Sequence, residues 1–234
     1  MYTPTIGIFF NGENRYNTVS QENHRDFISV IKEKYQVNVY DLTIENIERN
    51  SCPYTESGSV QLWDFVKSID IIQEEILIKL RTDLWITPSA TNTILTELEK
   101  IVINDQDVSF LGYAHKNHFS DKYKKYPVLG FENVRDLVII VNKKTILESE
   151  KILDLLKEEG ENKSGNLVYG KILNTNTRAY NVYCQLYLIR KNYDKSKNDW
   201  MWDVGKDFLL DWNPKKSRLA LEWYETTKGK YESI

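Results

Sequence analysis

Thr5-Ile6-Gly7-Ile8-Phe9-Phe10 is a short continuous apolar run that breaks off into Asn11-Gly12-Glu13-Asn14. Such a run suits a strand covered on both faces, and the polar cluster behind it is turn chemistry. From about Ser20 to Lys34 the apolar positions Phe27, Ile28 and Ile31 recur at helical spacing, with Ser20 read as the N-cap. Val37-Asn38-Val39-Tyr40-Asp41-Leu42 then reads as a second strand. Strand, helix and strand in that order form a βαβ unit, so a parallel sheet is expected.

The alternation continues outward from this unit. Residues 43–59 are polar, and Ser51-Cys52-Pro53 and Ser57-Gly58-Ser59 mark loop before a helix expected over 60–72. Ile76-Leu77-Ile78-Lys79-Leu80-Arg81 is the best central strand, and it runs on into Thr82-Asp83-Leu84-Trp85-Ile86. Thr87-Pro88-Ser89 stops it, and a helix follows with Ile94, Leu95, Leu98 and Ile101 on one face. Further strands are expected over 108–113, 136–141 and 182–189, with helices over 144–159, 167–173 and 217–227. The reading is a single α/β domain over 1–234, with a mostly parallel sheet flanked by helices. Residues 1–190 are its core and 191–234 an aromatic-rich C-terminal extension.

Composition agrees with one substantial core: 234 residues, 41% hydrophobic and 28% charged. The formal net charge is −3, whereas a protein holding duplex DNA by phosphate contacts alone is usually basic. A nucleic-acid partner would therefore need a local patch. His115-Lys116-Asn117-His118 through Lys122-Tyr123-Lys124-Lys125-Tyr126 is one candidate, Lys215-Lys216-Ser217-Arg218 another, and each also reads as a solvated basic loop. Cys52 and Cys184 lie far apart without metal-ligand spacing, which fits free thiols in a reducing compartment. No signal-peptide pattern and no bilayer-length apolar stretch is evident, so a cytoplasmic location without a membrane partner is expected.

In an open α/β sheet, ligands bind at the carboxyl ends of the parallel strands. Two such ends stand out. At Asn11-Gly12-Glu13-Asn14-Arg15-Tyr16, Gly12 allows close backbone approach and Arg15 offers a fork of donors to a phosphate. A polar turn with a surface arginine explains the same residues. The loop is neither a Walker loop nor a GxGxxG fingerprint, which removes the usual support for kinase, GTPase and dinucleotide readings.

The second end is Lys79-Leu80-Arg81-Thr82-Asp83. A lysine, an arginine and a carboxylate at the exit of a core strand are costly unless something compensates them. Asp83 is placed to hold Mg²⁺ or Mn²⁺ against a diphosphate, with Arg81 as counter-charge. An internal Arg81–Asp83 ion pair capping the sheet fits equally. Asp41, after the second strand, either accepts from a ribose or uracil group or is a plain surface aspartate.

Ile6-Gly7-Ile8-Phe9-Phe10-Asn11-Gly12-Glu13-Asn14-Arg15-Tyr16 resembles the opening of a group of small GT-A-like glycosyltransferases of viruses and bacteria. Leu77-Ile78-Lys79-Leu80-Arg81-Thr82-Asp83-Leu84-Trp85 is similar to their R-x-D segment, which stands where other GT-A enzymes carry a D-x-D metal motif. Val134-Arg135-Asp136-Leu137-Val138-Ile139-Ile140 is similar to a later strand in which an Asp precedes a hydrophobic run. The resemblance extends loosely to about Arg190. It implies transfer of a sugar from a nucleoside-diphosphate sugar, such as a UDP-sugar, to a hydroxyl of a glycan or of a hydroxymethylated DNA base, as in phage DNA modification. A viral member would work in the host cytoplasm. Arg81 occupies the first acidic position of the metal motif, so the implied Mn²⁺ or Mg²⁺ rests on Asp83 alone.

An inverting transfer needs a general base for the acceptor hydroxyl, whereas a retaining one does not need that base in the same place, and the resemblance leaves both open. Asp136 is the first candidate, with Asp203 and Asp207 behind it. Gly12, Arg15, Asp41, Arg81 and Asp83 form the implied nucleotide site. Asp199-Trp200-Met201-Trp202-Asp203 and Asp211-Trp212-Asn213-Pro214 read either as a sugar-stacking surface or as a hydrophobic lid. A non-catalytic nucleotide- or nucleic-acid-binding module is the alternative to an enzyme. Monomer and homodimer are both compatible with the exposed aromatics that six Trp and fifteen Tyr imply.

Overall fold

A computed structural model describes residues 4–12, 18–43, 52, 57–112, 125–126, 137–145, 151, 154, 178–183 and 186–188. The βαβ unit forms as its sequence predicts. β1 (Thr5–Gly12) and β2 (Gln36–Thr43) flank α1 (Thr18–Lys32) in the chain. They pair in parallel, with Ile8 opposite Val39. Next come α2 (Ser57–Ile71), β3 (Ile76–Leu80), β4 (Leu84–Ile86), α3 (Pro88–Val102) and β5 (Val108–Gly112). β6 (Lys125–Tyr126), β7 (Val138–Asn142), β8 (Ala179–Tyr183) and β9 (Leu186–Leu188) complete the described elements.

Seven strands make one sheet in the order β2-β1-β3-β7-β5-β8-β6. Five of them share a direction, and β7 and β6 run against it. The fold is thus the expected α/β class with a mostly parallel sheet. The reversal of β7 has a consequence for the site. Val138 at its start pairs with Leu80 at the end of β3, so the chain enters β7 at the edge where β1 and β3 leave the sheet.

Strand alternation divides the core between two faces. Ile6, Ile8 and Phe10 of β1, with Ile76, Ile78 and Leu80 of β3, meet Phe27 and Ile31 of α1 and Ile94, Leu98 and Ile101 of α3. Phe9, Leu77, Phe110 and Ile139 point the other way, onto Leu62, Phe65, Val66 and Ile69 of α2. Each fully buried aliphatic or aromatic side chain here contributes about 1.5–3 kcal/mol relative to exposure. Gly7 occupies the α2 face where the backbone has no room for more: a Cβ there would stand 2.8 Å from Leu77 Cδ2.

Several boundaries differ from the sequence reading. Ser20 is buried inside α1 and is not its cap. The Ser57-Gly58-Ser59 stretch is the first turn of α2, not loop. Residues 76–86 are two strands, because a turn at Thr82–Asp83 lifts β4 out of the main sheet to pair with β9. The expected strand over 182–189 is likewise divided, β8 serving the large sheet and β9 the small one. Thr87 does stop β4 and start α3: its Oγ1 accepts from the Ala90 N–H at 3.0 Å, with Pro88 in the first turn. Among the described residues no helix is long and apolar enough to cross a membrane.

Candidate functional site

A polar pocket opens at the carboxyl edge of β1 and β3, on the α2 side of the sheet. Asn11, Gly12, Gln61, Lys79, Arg81, Thr82 and Asp83 line it. Alternation explains how they converge. Phe9 and Lys79 are register partners on the α2 face, and Asn11 follows Phe9 on that face two residues on. Lys79 therefore stands one step beyond Leu77, where the apolar face of β3 reaches the sheet edge. It is only 3% exposed.

α2 fixes the end of β1. The Asn11 amide donates to Ser68 Oγ at 3.2 Å, and Ser68 Oγ donates to the Asp64 carbonyl at 2.7 Å. Gly12 has φ +96°, a backbone region that L side chains rarely adopt, and nothing lies within 4 Å of where its Cβ would stand. The glycine therefore leaves open space at the pocket wall where a side chain would stand.

α1 fixes the other side. The Asn23 amide reads the Ile86 backbone like a neighbouring strand, donating to its carbonyl at 3.0 Å and accepting from its N–H at 2.7 Å. His24 is buried against Phe10, with ring centroids 5.0 Å apart. Burial holds its pKa down, to about 4, against the opposing pull of the Leu84 backbone and the Asp83 charge. The imidazole is neutral at pH 7 and packs beneath the turn that presents Asp83.

Across that turn Arg81 Nε donates to Asp83 Oδ1 and Arg81 Nη2 to Asp83 Oδ2, both at 2.9 Å. The internal ion pair is thus the arrangement this segment takes. Two cations and one carboxylate line the pocket, with neutral amide and hydroxyl groups around them. Such a set accepts an anion with several oxygens.

The structure brings Gly12, Arg81 and Asp83 together, and adds Lys79, Asn11, Thr82 and Gln61. Lys79 and Asn11 are part of the two quoted segments, whereas Gln61 carries no signal beyond lying in the helix expected over 60–72. Asp41 does not line the pocket. Its Oδ1 accepts from the Thr43 N–H at 3.2 Å and the Thr43 hydroxyl at 2.8 Å, closing the end of β2. Arg15, Asp136, Asp203 and Asp207 lie outside the described residues, as do His115, His118 and the Trp-rich tail. Elsewhere, the buried Glu97 carboxylate is held by Gln106, Ser109 and Lys100 and serves the packing of α3 on β5.

Among the described residues no group of three or more His, Cys, Asp or Glu is placed to hold a metal ion. Asp83 alone does not fit one either, since both of its oxygens are committed to a guanidinium.

No protein-family model matches the chain, and no curated protein matches it in sequence. Solved structures with a similar chain path include a glycosyltransferase involved in glycosylation of the major capsid of PBCV-1, at 16% identity and TM-score 0.48 over 76% of this chain and 82% of that one. The galactosyltransferase LgtC, solved with donor and acceptor sugar analogs, gives 11% identity and TM-score 0.44 over 76% and 72%. An inositol-1-phosphate CTP transferase from T. maritima gives 11% identity and TM-score 0.40 over 83% and 93%. These likenesses concern the chain path; what the chain does is read from its own residues.

Proposed function

We propose that the chain is a glycosyltransferase that moves a sugar from a nucleoside-diphosphate sugar to a hydroxyl acceptor. The observation that carries this is the pocket itself, with Lys79 and Arg81 beside a glycine turn at the carboxyl edge of parallel strands. A diphosphate needs fixed cations and close backbone approach, and that edge is where α/β sheets bind such groups. The similarity of residues 77–85 to the R-x-D segment of small GT-A-like enzymes points to a sugar donor. The acceptor is a glycan hydroxyl or that of a hydroxymethylated DNA base.

In an inverting transfer the acceptor oxygen bonds to the anomeric carbon while the bond from that carbon to the β-phosphate oxygen breaks. The bonding pair leaves on the nucleoside diphosphate, and a carboxylate takes the acceptor proton. Lys79 and Arg81 meet the charge that develops on the leaving oxygen. Asp83 holds Arg81 and is not the base. That role belongs to Asp136, the chain neighbour of Leu137 at the entrance of β7, with Asp203 as the second candidate. Arg15 extends the phosphate site from the β1 loop.

A thermal-shift screen of nucleoside diphosphates and nucleotide sugars tests the reading. A ligand at about a hundred times its dissociation constant adds roughly 2.7 kcal/mol of stability. Stabilisation by one nucleotide class, followed by release of its diphosphate in the presence of an acceptor and loss of that release in Asp136→Asn, is the expected result. Stabilisation without turnover on any acceptor favours the non-catalytic nucleotide-binding module. The engagement of the described pocket carboxylate with Arg81 gives that second reading its own support.

A further inference from the structure

The divalent cation implied by the resemblance and the observed Asp83 are in conflict. A Mg²⁺ bound with a nucleoside diphosphate takes one or two carboxylates at about 2.0–2.1 Å and fills its remaining positions with phosphate oxygens and water. Each Asp83 oxygen already accepts a guanidinium N–H at 2.9 Å, and the carboxylate side chain is only 6% exposed. A cation bound to either oxygen would expel Arg81 or stand within a few ångströms of its charge. Arg81 keeps that charge at every working pH, because a guanidinium does not deprotonate in proteins. Lys79 puts a second cation on the same pocket wall, 3% exposed.

We propose that this chain binds a nucleoside diphosphate without a divalent cation. Arg81 and Lys79 supply the positive charge, and Asp83 is a positioning residue that orients the Arg81 fork. The proposal deepens the nucleotide-sugar reading above and rests on it. Two guanidinium N–H donors serve Asp83 and fix the plane of the group, and its full positive charge stays at the pocket wall.

Calorimetric titration of the full chain with UDP, GDP, ADP, CDP and dTDP, in EDTA and again in Mn²⁺, tests this without turnover. At least one diphosphate is expected to bind in EDTA with a dissociation constant within fivefold of its value in Mn²⁺. Arg81→Lys keeps the charge but loses the fork, and should weaken that binding tenfold or more. If Arg81→Lys does not fold, Lys79→Met replaces it with the same expectation. Binding that Mn²⁺ tightens more than fivefold overturns the proposal and leaves the nucleotide reading standing. EDTA-resistant binding that the folded variant leaves unchanged overturns the assigned roles. If none of the five binds in either condition, the nucleotide reading fails and the proposal falls with it.

Discussion

Arg81 grips Asp83 through two parallel hydrogen bonds of 2.9 Å across a turn of two residues, at the point where β3 leaves the sheet. The pair is asymmetric in its exposure, with the arginine side chain 21% exposed and the aspartate 6%. That asymmetry predicts the order of two mutants. Arg81→Ala leaves the more deeply buried charge without its fork and is expected to cost more stability than Asp83→Ala. A double-mutant cycle by urea unfolding should return a coupling of about 1–3 kcal/mol, since charged hydrogen bonds of this geometry contribute in that range. Additive single mutants would contradict the bidentate pair.

Lys79 separates function from stability. A buried ammonium is costly to desolvate, and Met has nearly its length without its charge. Lys79→Met should therefore remove the pocket charge while keeping the fold, which a circular-dichroism spectrum checks. Nucleoside-diphosphate binding should fall at least tenfold in the same protein. A large loss of stability with binding intact would assign the lysine to the core instead of the pocket.

His24 makes stability depend on pH. Its folded pKa is depressed from 6.5 to about 4. Between those values the unfolded chain takes up a proton that the folded chain refuses. Its contribution is complete above pH 6.5, declines as pH falls, and is gone below about 4. Wild type should lose about 2 kcal/mol from this residue between pH 7 and pH 5, at 1.36 kcal/mol per pKa unit. His24→Phe keeps a ring against Phe10 and should flatten that slope. Parallel pH profiles for the two proteins would show that the imidazole is not buried.

Gly7 tests the packing beneath the site. An added methyl would lie 2.8 Å from Leu77 Cδ2 and 3.1 Å from Ile72 Cγ2, both fully or almost fully buried. Gly7→Ala is expected to cost about 1–3 kcal/mol through overpacking. Chemical denaturation reads this directly. A neutral or stabilising effect would mean that the β1–β3–α2 contact can spread by several tenths of an ångström.

The sequence by itself determined the α/β class and, apart from the break between β3 and β4, the element order in the first half of the chain. Apolar runs such as 5–10 and 76–80 and the helical spacing of Ile94, Leu98 and Ile101 are local periodic signals, which one face or two of buried surface impose on any sequence. It also marked both segments of the pocket, because charged residues at the end of a core strand are out of place without a partner. Tertiary structure decided three things that no local pattern carries. The antiparallel course of β7 depends on which way the chain returns, and an apolar strand reads the same in either direction. The choice between ion pair and ion ligand for Asp83 depends on the turn that swings its carboxylate onto Arg81. Gln61 and Ser68 gain their places at the site only when α2 packs on the face shared by Phe9, Asn11 and Lys79, and packing between distant segments leaves no spacing to read.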